Sequence, residues 1–165
     1  MGFVEWTGVK AINVPYYNHE IDTLRSIANL QSQRGDNRDN VEVQFKIIRN
    51  MINIHLSRTK EILNEVVRVK DDPDYNVVFA YIQTLDTLQH YFFHYPQIIR
   101  GLYLELDVLV ANTKKQLEGN TIIIVSDHGF KDGNHSHKGY YSYSHPTKET
   151  PTNITDFHKI VRDFL

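Results

Sequence analysis

The chain has 165 residues, of which 41% are hydrophobic and 23% charged, and its formal net charge is -2. A chain of this length can form one domain with a real core, and a balanced charge without a basic stripe argues against a nucleic-acid partner. It has no cysteine, so any bound metal must be held by histidine and carboxylate side chains. The N-terminal segment lacks a signal-peptide pattern and no apolar run reaches membrane-spanning length, which predicts a cytoplasmic protein without a membrane partner.

Periodicity and turn signals predict helices and strands that alternate along the chain. The predicted elements are a strand at Val9–Val14 closed by Pro15, a helix at Glu20–Leu30, a mobile polar loop at Gln31–Asn40, a long amphipathic helix from Val41 to about Lys70, a strand at Val77–Ile82, a helix at about Gln97–Leu117 ended by Gly119, a strand at Thr121–Val125, a strand at Gly139–Ser144 and a last helix from about Ile154.

Two of these strands, Val77–Ile82 and Thr121–Val125, are uninterrupted apolar runs. Such runs are typical of strands that are buried on both faces of a parallel sheet. The sequence therefore predicts an α/β fold with a mostly parallel sheet covered by helices on both faces, and residues 1–165 as a single domain.

Ionisable side chains follow both apolar strands. Asp86 and His90 come after the first, and Asp127 and His128 come after the second, between Ser126 and a glycine, Gly129, that permits a sharp turn. Ligands of open α/β sheets bind outside the carboxyl ends of the strands, so we expect the two groups to face one pocket. Carboxylate and imidazole suit zinc or manganese.

Asp86, His90 and one later histidine would hold a first ion, and Asp127 with His128 a second ion. Two ions roughly 3.5–4 Å apart stabilise the attacking and leaving oxygens of a displacement at phosphorus. Each motif taken singly is compatible with chance or with capping of the next element. Their joint occurrence after two apolar strands favours the metal interpretation.

The third histidine ligand is expected in the loop His135-Ser136-His137, which offers two candidates, with His145 as a more distant alternative. His94 lies one turn beyond His90. Packing with its aromatic neighbours is favoured for this residue over the support of a ligand. Packing or surface roles are favoured for the remaining candidates, which are His55 within the long helix and His19 and His158 near helix ends.

Together these motifs resemble the alkaline phosphatase superfamily, particularly its type I phosphodiesterase and nucleotide pyrophosphatase branch. The most specific match is Ser126-Asp127-His128-Gly129-Phe130, and Asp86 to His90 is similar to the family's Asp-x-x-x-His segment. His135 with Gly139 resembles the family's His-x-x-x-Gly loop, which favours His135 over His137. Weaker similarities are Tyr103 with Asp107 and the stretch Asn13-Val14-Pro15.

The resemblance implies that Asp86, His90 and His135 hold one divalent ion and that Asp127 and His128 hold the other, with zinc or manganese as the metal. It implies an alkaline phosphatase-like fold and attack on a small phosphate ester or nucleotide by a serine or threonine. Members of the family use a further N-terminal aspartate and that nucleophile, and no segment here matches either. Three hydroxyl residues precede the motifs without the family's context: Thr7, Thr23 and Ser26.

We therefore expect this chain to be the C-terminal portion of a longer enzyme, or a truncated relative, and to be weak or inactive by itself. One alternative is a non-catalytic metal-binding α/β module that serves as a binding partner or forms homo-oligomers. Another is a relative with sulfatase or phosphoglycerate mutase chemistry. The motifs do not identify the substrate.

Overall fold

The computed structural model describes residues 9–12, 18–32, 41–146 and 150–165. In chain order the elements are β1 (Val9–Ile12), α1 (Asn18–Ser32), α2 (Val41–Val69), β2 (Val77–Ala80), α3 (Thr84–Phe92), α4 (Pro96–Gln116), β3 (Ile123–Ser126), β4 (Gly129–Lys131), β5 (Asn134–Ser136), β6 (Tyr140–Tyr143) and α5 (Asp156–Asp163). Most of the predicted mobile loop and the Asn13-Val14-Pro15 stretch lie outside the described residues.

The chain is a mixed α/β structure in which the described strands form three two-stranded sheets. Strands β1 and β2 are parallel, with Val9 opposite Val77, and the intervening chain contains α1 and α2. A parallel pair requires such a crossover. The pairs β3–β6 and β4–β5 are antiparallel.

The two long helices predicted from periodicity are confirmed as α2 and α4, with ends within one residue of the prediction. Helix α1 is longer than predicted and extends to Ser32. Within the described ranges, none of the helices combines the length and the hydropathy needed to cross a lipid bilayer.

Helix α2 contributes to both buried apolar clusters found among the described residues. In the first, Met51 of α2 packs with Leu88 and Phe92 of α3 and with Leu102 of α4. In the second, Ile62 and Val69 pack beneath the β1–β2 pair. Because α2 has apolar residues at helical spacing along its whole length, it can hold α3 on one stretch and the parallel strands on another.

The described residues do not show the expected burial of both apolar strands on both faces. Phe79 in β2 is 60% exposed, and Ile124 and Val125 in β3 are 45% and 38% exposed. Each strand has one neighbour in its sheet, and α2 covers β1 and β2 from one side. The described strands therefore do not form a mostly parallel sheet with helices on both faces.

Candidate metal centre

Asp86 and His90 project from the same side of α3, a helix of nine residues that the sequence analysis did not predict. Residues four apart in a helix are neighbours on its surface, and Asp86 Oδ1 lies 3.5 Å from His90 Nε2. Leu88, between them in sequence, points into the helical core. The Asp-x-x-x-His spacing is therefore both a ligand motif and a spacing that places the two side chains on one face of a helix.

A buried hydroxyl pair attaches the first turn of α3 to α2. The Thr84 and Thr59 hydroxyl oxygens lie 2.6 Å apart, and each lies 3.1 Å from the main-chain carbonyl oxygen of His55. Polar groups removed from water are stable only when they are hydrogen-bonded, so this contact favours one position of the helix start. Asp86 is two residues further on, and its backbone position follows from this attachment.

The β4–β5 hairpin supplies the third member of the group. Its strands are joined by Asp132 and Gly133, whose φ angles are 52° and 84°. Two left-handed residues make the tight turn that suits a two-residue hairpin, and Asp-Gly is a favoured sequence for it. The Asp132-Gly133 dipeptide was a usable signal that the sequence analysis missed.

Aromatic contacts hold this hairpin against α3. The Phe130 ring of β4 meets the His90 ring edge to face, with 4.9 Å between centroids, and lies 6.4 Å from the Phe93 ring. At the turn, a Cβ atom on Gly133 would lie 2.9 Å from the Phe93 ring, so the backbone approaches this side chain as closely as a glycine allows. His135 pairs with Phe130 across the hairpin and is thereby brought to α3.

The ligand atoms of Asp86, His90 and His135 all lie within 4.8 Å of one another. His135 Nε2 is 3.0 Å from Asp86 Oδ1 and 2.8 Å from His90 Nε2. Ligands about 2 Å from a tetrahedral zinc ion are separated by about 3.3 Å, so these atoms need only small shifts to hold one. All three side chains are partly exposed, which leaves access for water or a substrate oxygen.

His128 borders this group. Its ring is stacked on that of His135, with 3.7 Å between centroids, and its Nε2 atom lies 3.8 Å from Asp86 Oδ1. Asp127 Oδ1 lies 3.7 Å from the same His128 nitrogen, on a side chain that is 76% exposed. Asp86, from the segment after β2, thus lies within 4 Å of His128, from the segment after β3, and of His135 in β5.

The alternative third ligands lie elsewhere. The group of Asp86, His90 and His135, found among the residues that the structure describes, does not include His137. His137 instead lines a cleft with Asp127. His145 Nδ1 lies 2.8 Å from the Ser144 hydroxyl.

The other histidines have packing or surface positions. His55 is buried in α2, and this burial lowers the pKa of its imidazole. The His94 ring lies against that of Phe93, with 3.8 Å between centroids, in agreement with the preferred packing interpretation. His158 is exposed on α5, and the side chain of His19 lies outside the described residues.

At two glycines of the motifs, neighbouring atoms leave no room for a side chain. A Cβ atom on Gly129 would lie 2.5 Å from the Ser136 hydroxyl oxygen, and one on Gly139 would collide with the main-chain oxygen of Ser126. Neither glycine has a left-handed φ angle. A larger side chain at Gly129 would therefore be obstructed, as predicted, by the close packing of neighbouring segments around the end of β3.

The remaining motif residues support the site or lie apart from it. Gln89 Nε2 donates a hydrogen bond of 2.7 Å to the Tyr103 hydroxyl, which links α4 to α3 beside His90, whereas Asp107 is exposed. Ser26 Oγ donates to the main-chain carbonyl of Asp22 within α1. Thr23 is also in α1, and Thr7 lies outside the described residues.

A family model described as type I phosphodiesterase / nucleotide pyrophosphatase matches residues 5–155. This range contains every predicted metal ligand. Comparison with curated proteins and with solved structures gave no match.

Proposed function

Because the chain belongs to the type I phosphodiesterase / nucleotide pyrophosphatase family of the alkaline phosphatase superfamily, we propose that it forms the metal-binding portion of a phosphate ester hydrolase. The observation that carries the proposal is the convergence of Asp86, His90 and His135 from a helix and a hairpin that are far apart in sequence. The family acts on small phosphate esters and nucleotides, so the reaction class follows from family membership.

Asp86, His90 and His135 would hold one divalent ion, and Asp127 with His128 would contribute to a second. Nitrogen and oxygen donors without sulfur suit zinc and manganese alike. When bound, such ions neutralise the charge that develops on phosphate oxygens and polarise the phosphorus centre. The chain's own contribution is orientation, because the Phe130 contact and the Thr84 attachment hold the hairpin and α3 in fixed positions.

The proposed hydrolase is incomplete in the motifs present here. We assign the nucleophile and one more carboxylate to sequence outside these motifs. The Ser26 hydroxyl is hydrogen-bonded within α1, and neither Ser26 nor Thr23 stands in the sequence context that surrounds the nucleophile in the family. The sequence that supplies the nucleophile would also supply strands that complete a mostly parallel, helix-covered sheet. The exposed apolar side chains of β2 and β3, among them Phe79 and Ile124, support this assignment because the added strands would bury them.

Metal titration tests the proposal directly. Calorimetry with zinc and then manganese is expected to give at least one bound ion per chain, and Asp86→Ala or His135→Ala should abolish that binding. His145→Ala is the matched control, since it removes an exposed histidine from outside the group. Absence of stoichiometric binding, or unchanged binding by Asp86→Ala, would refute the proposed centre.

Activity separates the hydrolase from the non-catalytic metal-binding module. We expect little or no release of nitrophenol from nitrophenyl phosphate esters by this chain, and robust release by a longer natural chain that includes the nucleophile. A longer chain that binds metal without turnover would favour the module. The family match favours phosphate ester hydrolysis over the sulfatase-like and mutase-like alternatives.

A further inference from the structure

The connection between β3 and β4 consists of Asp127 and His128, and it joins two different sheets. Ser126, the last residue of β3, is paired with β6, whereas Gly129, the first residue of β4, is paired with β5. Both residues assigned to the second ion therefore lie in a two-residue connection whose ends are held by separate strands. The directions of their side chains depend on the local hydrogen bonds of this connection.

The Ser126 hydroxyl makes one of these hydrogen bonds. It donates to the main-chain carbonyl of His128, with 2.6 Å between the two oxygens. The serine side chain reaches over Asp127 and closes a short ring with the backbone, a local contact that serine often makes in turns. The backbone of Ser126 is confined in turn, since a Cβ atom on Gly139 would collide with its carbonyl oxygen. The hydroxyl therefore fixes the His128 carbonyl relative to the end of β3.

A second hydrogen bond determines which ring nitrogen of His128 carries the proton. The Nδ1 atom lies 3.2 Å from the main-chain carbonyl oxygen of Gly129, and a carbonyl oxygen can only accept. Nδ1 is therefore the protonated nitrogen. Because a neutral imidazole carries one proton, Nε2 keeps a free lone pair, so the hydrogen bond of one ring nitrogen sets the metal-binding role of the other.

The Nε2 atom of His128 has two carboxylates as neighbours. It lies 3.7 Å from Asp127 Oδ1 and 3.8 Å from Asp86 Oδ1, and the ring is stacked on that of His135. A lone pair beside two carboxylate oxygens favours a cation as their common neighbour. The proton position of the ring thus decides whether His128 meets that cation with a lone pair or with an N–H group.

We infer that Ser126 is a positioning residue for the second metal ion. Its hydroxyl fixes the peptide group between His128 and Gly129, so that the ring donates from Nδ1 to the Gly129 carbonyl and presents Nε2 to the ion. The inference rests on the proposed function, in which Asp127 and His128 contribute to that ion. Because Ser126 is exposed, loss of its hydroxyl should change the state of the His128 ring and leave the stability of the fold nearly unchanged.

Nitrogen NMR spectra of the isotope-labelled histidine rings test the first step in the metal-free chain. In mildly alkaline solution His128 is expected in the Nδ1-protonated form. Ser126→Ala should shift it towards the Nε2-protonated form, which an unconstrained imidazole favours, and Ser126→Thr, which keeps the hydroxyl, should restore the wild-type signals. Ser142→Ala is the matched control, because it removes an exposed serine from β6, the strand paired with β3.

Zinc titration followed in the same spectra tests the second step. Zinc should perturb the Nε2 signal of His128, and Ser126→Ala should weaken this binding by about tenfold to a hundredfold, the usual effect of removing a group that orients a metal ligand. Zinc affinity at His90 and His135 should not change. An Nε2-protonated ring in the wild-type chain, an alanine variant that matches the wild type, or a threonine variant that matches the alanine variant would overturn the inference.

The inference and the proposed function fail in different ways. If zinc leaves His128 alone unperturbed, the inference is overturned and the first ion remains in place. If zinc also leaves His90 and His135 unperturbed, the proposed metal centre is refuted with it. Urea denaturation of the Ser126→Ala variant completes the test, because a large loss of stability would show that the hydroxyl serves the fold and would overturn the positioning role.

Discussion

The helical layer and the strands of this chain differ in how completely they are buried. Met51 and Leu88 in the layer of α2, α3 and α4 are 1% and 0% exposed, whereas Phe79 in β2 and Ile124 in β3 are 60% and 45% exposed. The candidate metal centre takes ligands from both regions. Its α3 half is supported by a packed core, and its hairpin half is positioned by a few aromatic contacts, so the two halves should respond differently to substitution.

Removal of a core side chain from α3 should have the largest effect. Leu88 lies between Asp86 and His90 in sequence and is fully buried, so Leu88→Ala is expected to lower the free energy of unfolding by about 2–5 kcal/mol through lost burial and a residual cavity. Leu104→Ala, on the exposed side of α4, should change it by less than about 0.5 kcal/mol. Urea denaturation measures both, and similar losses would contradict the assigned core.

The hydroxyl attachment of α3 is expected to rank next. Thr84→Val removes the hydroxyl that meets Thr59 and the His55 carbonyl, at a cost of about 1–3 kcal/mol because buried polar partners lose a hydrogen bond. Zinc affinity should fall with it, since α3 carries Asp86. Thr84→Ser, which keeps the hydroxyl, should restore both quantities. Loss of both in the serine variant would point to the methyl group instead.

Substitution at the hairpin turn tests the other half of the centre. Gly133→Ala places a Cβ atom against the Phe93 ring at a left-handed φ of 84°, so we expect a cost of about 1–2 kcal/mol and weaker zinc binding through His135. Gly101→Ala in α4 is the matched control, because no atom lies within 4 Å of its added Cβ. That control should stabilise the chain by about 0.5–1 kcal/mol and leave zinc binding unchanged.

Acid should weaken the helical layer through His55. Burial lowers the pKa of this imidazole below its ordinary 6.5, so the unfolded chain takes up a proton before the folded chain does. The contribution of neutral His55 to the free energy of unfolding is therefore fully present above pH 6.5. It falls as the pH drops from there towards the pKa of His55 in the folded chain. Urea denaturation at pH 7.5 and 5.5 should show this loss, and His55→Gln should reduce it.

Long helices could be predicted because their periodicity is repeated many times. Helices α2 and α4 span 29 and 21 residues, and their ends agree with the pattern. Helix α3 and the β4–β5 hairpin were missed although each carried a local signal, the Asp86–His90 spacing and the Asp132-Gly133 turn. Both elements are short, so a single signal had to outweigh the expectation of a loop.

Strand burial could not be predicted from composition. The apolar run that includes β2 shows that its side chains favour an apolar environment. It does not show whether neighbouring segments of the chain provide that environment. Phe79 is exposed because α2 covers one side of the β1–β2 pair, which depends on contacts between segments far apart in sequence. The same limitation applied to Ile124 in β3.

For the candidate centre, the sequence by itself determined the chemistry. The absence of cysteine restricts the donors to imidazole and carboxylate, and the spacing of Asp86 and His90 puts both on one face once that segment is helical. The tertiary structure decided which donors meet, because the contacts of Phe130 with His90 and of Gly133 with Phe93 bring His135 to Asp86 and place His137 beside the cleft. Local sequence patterns describe one segment at a time, whereas the distance between a helix and a hairpin depends on how their side chains pack.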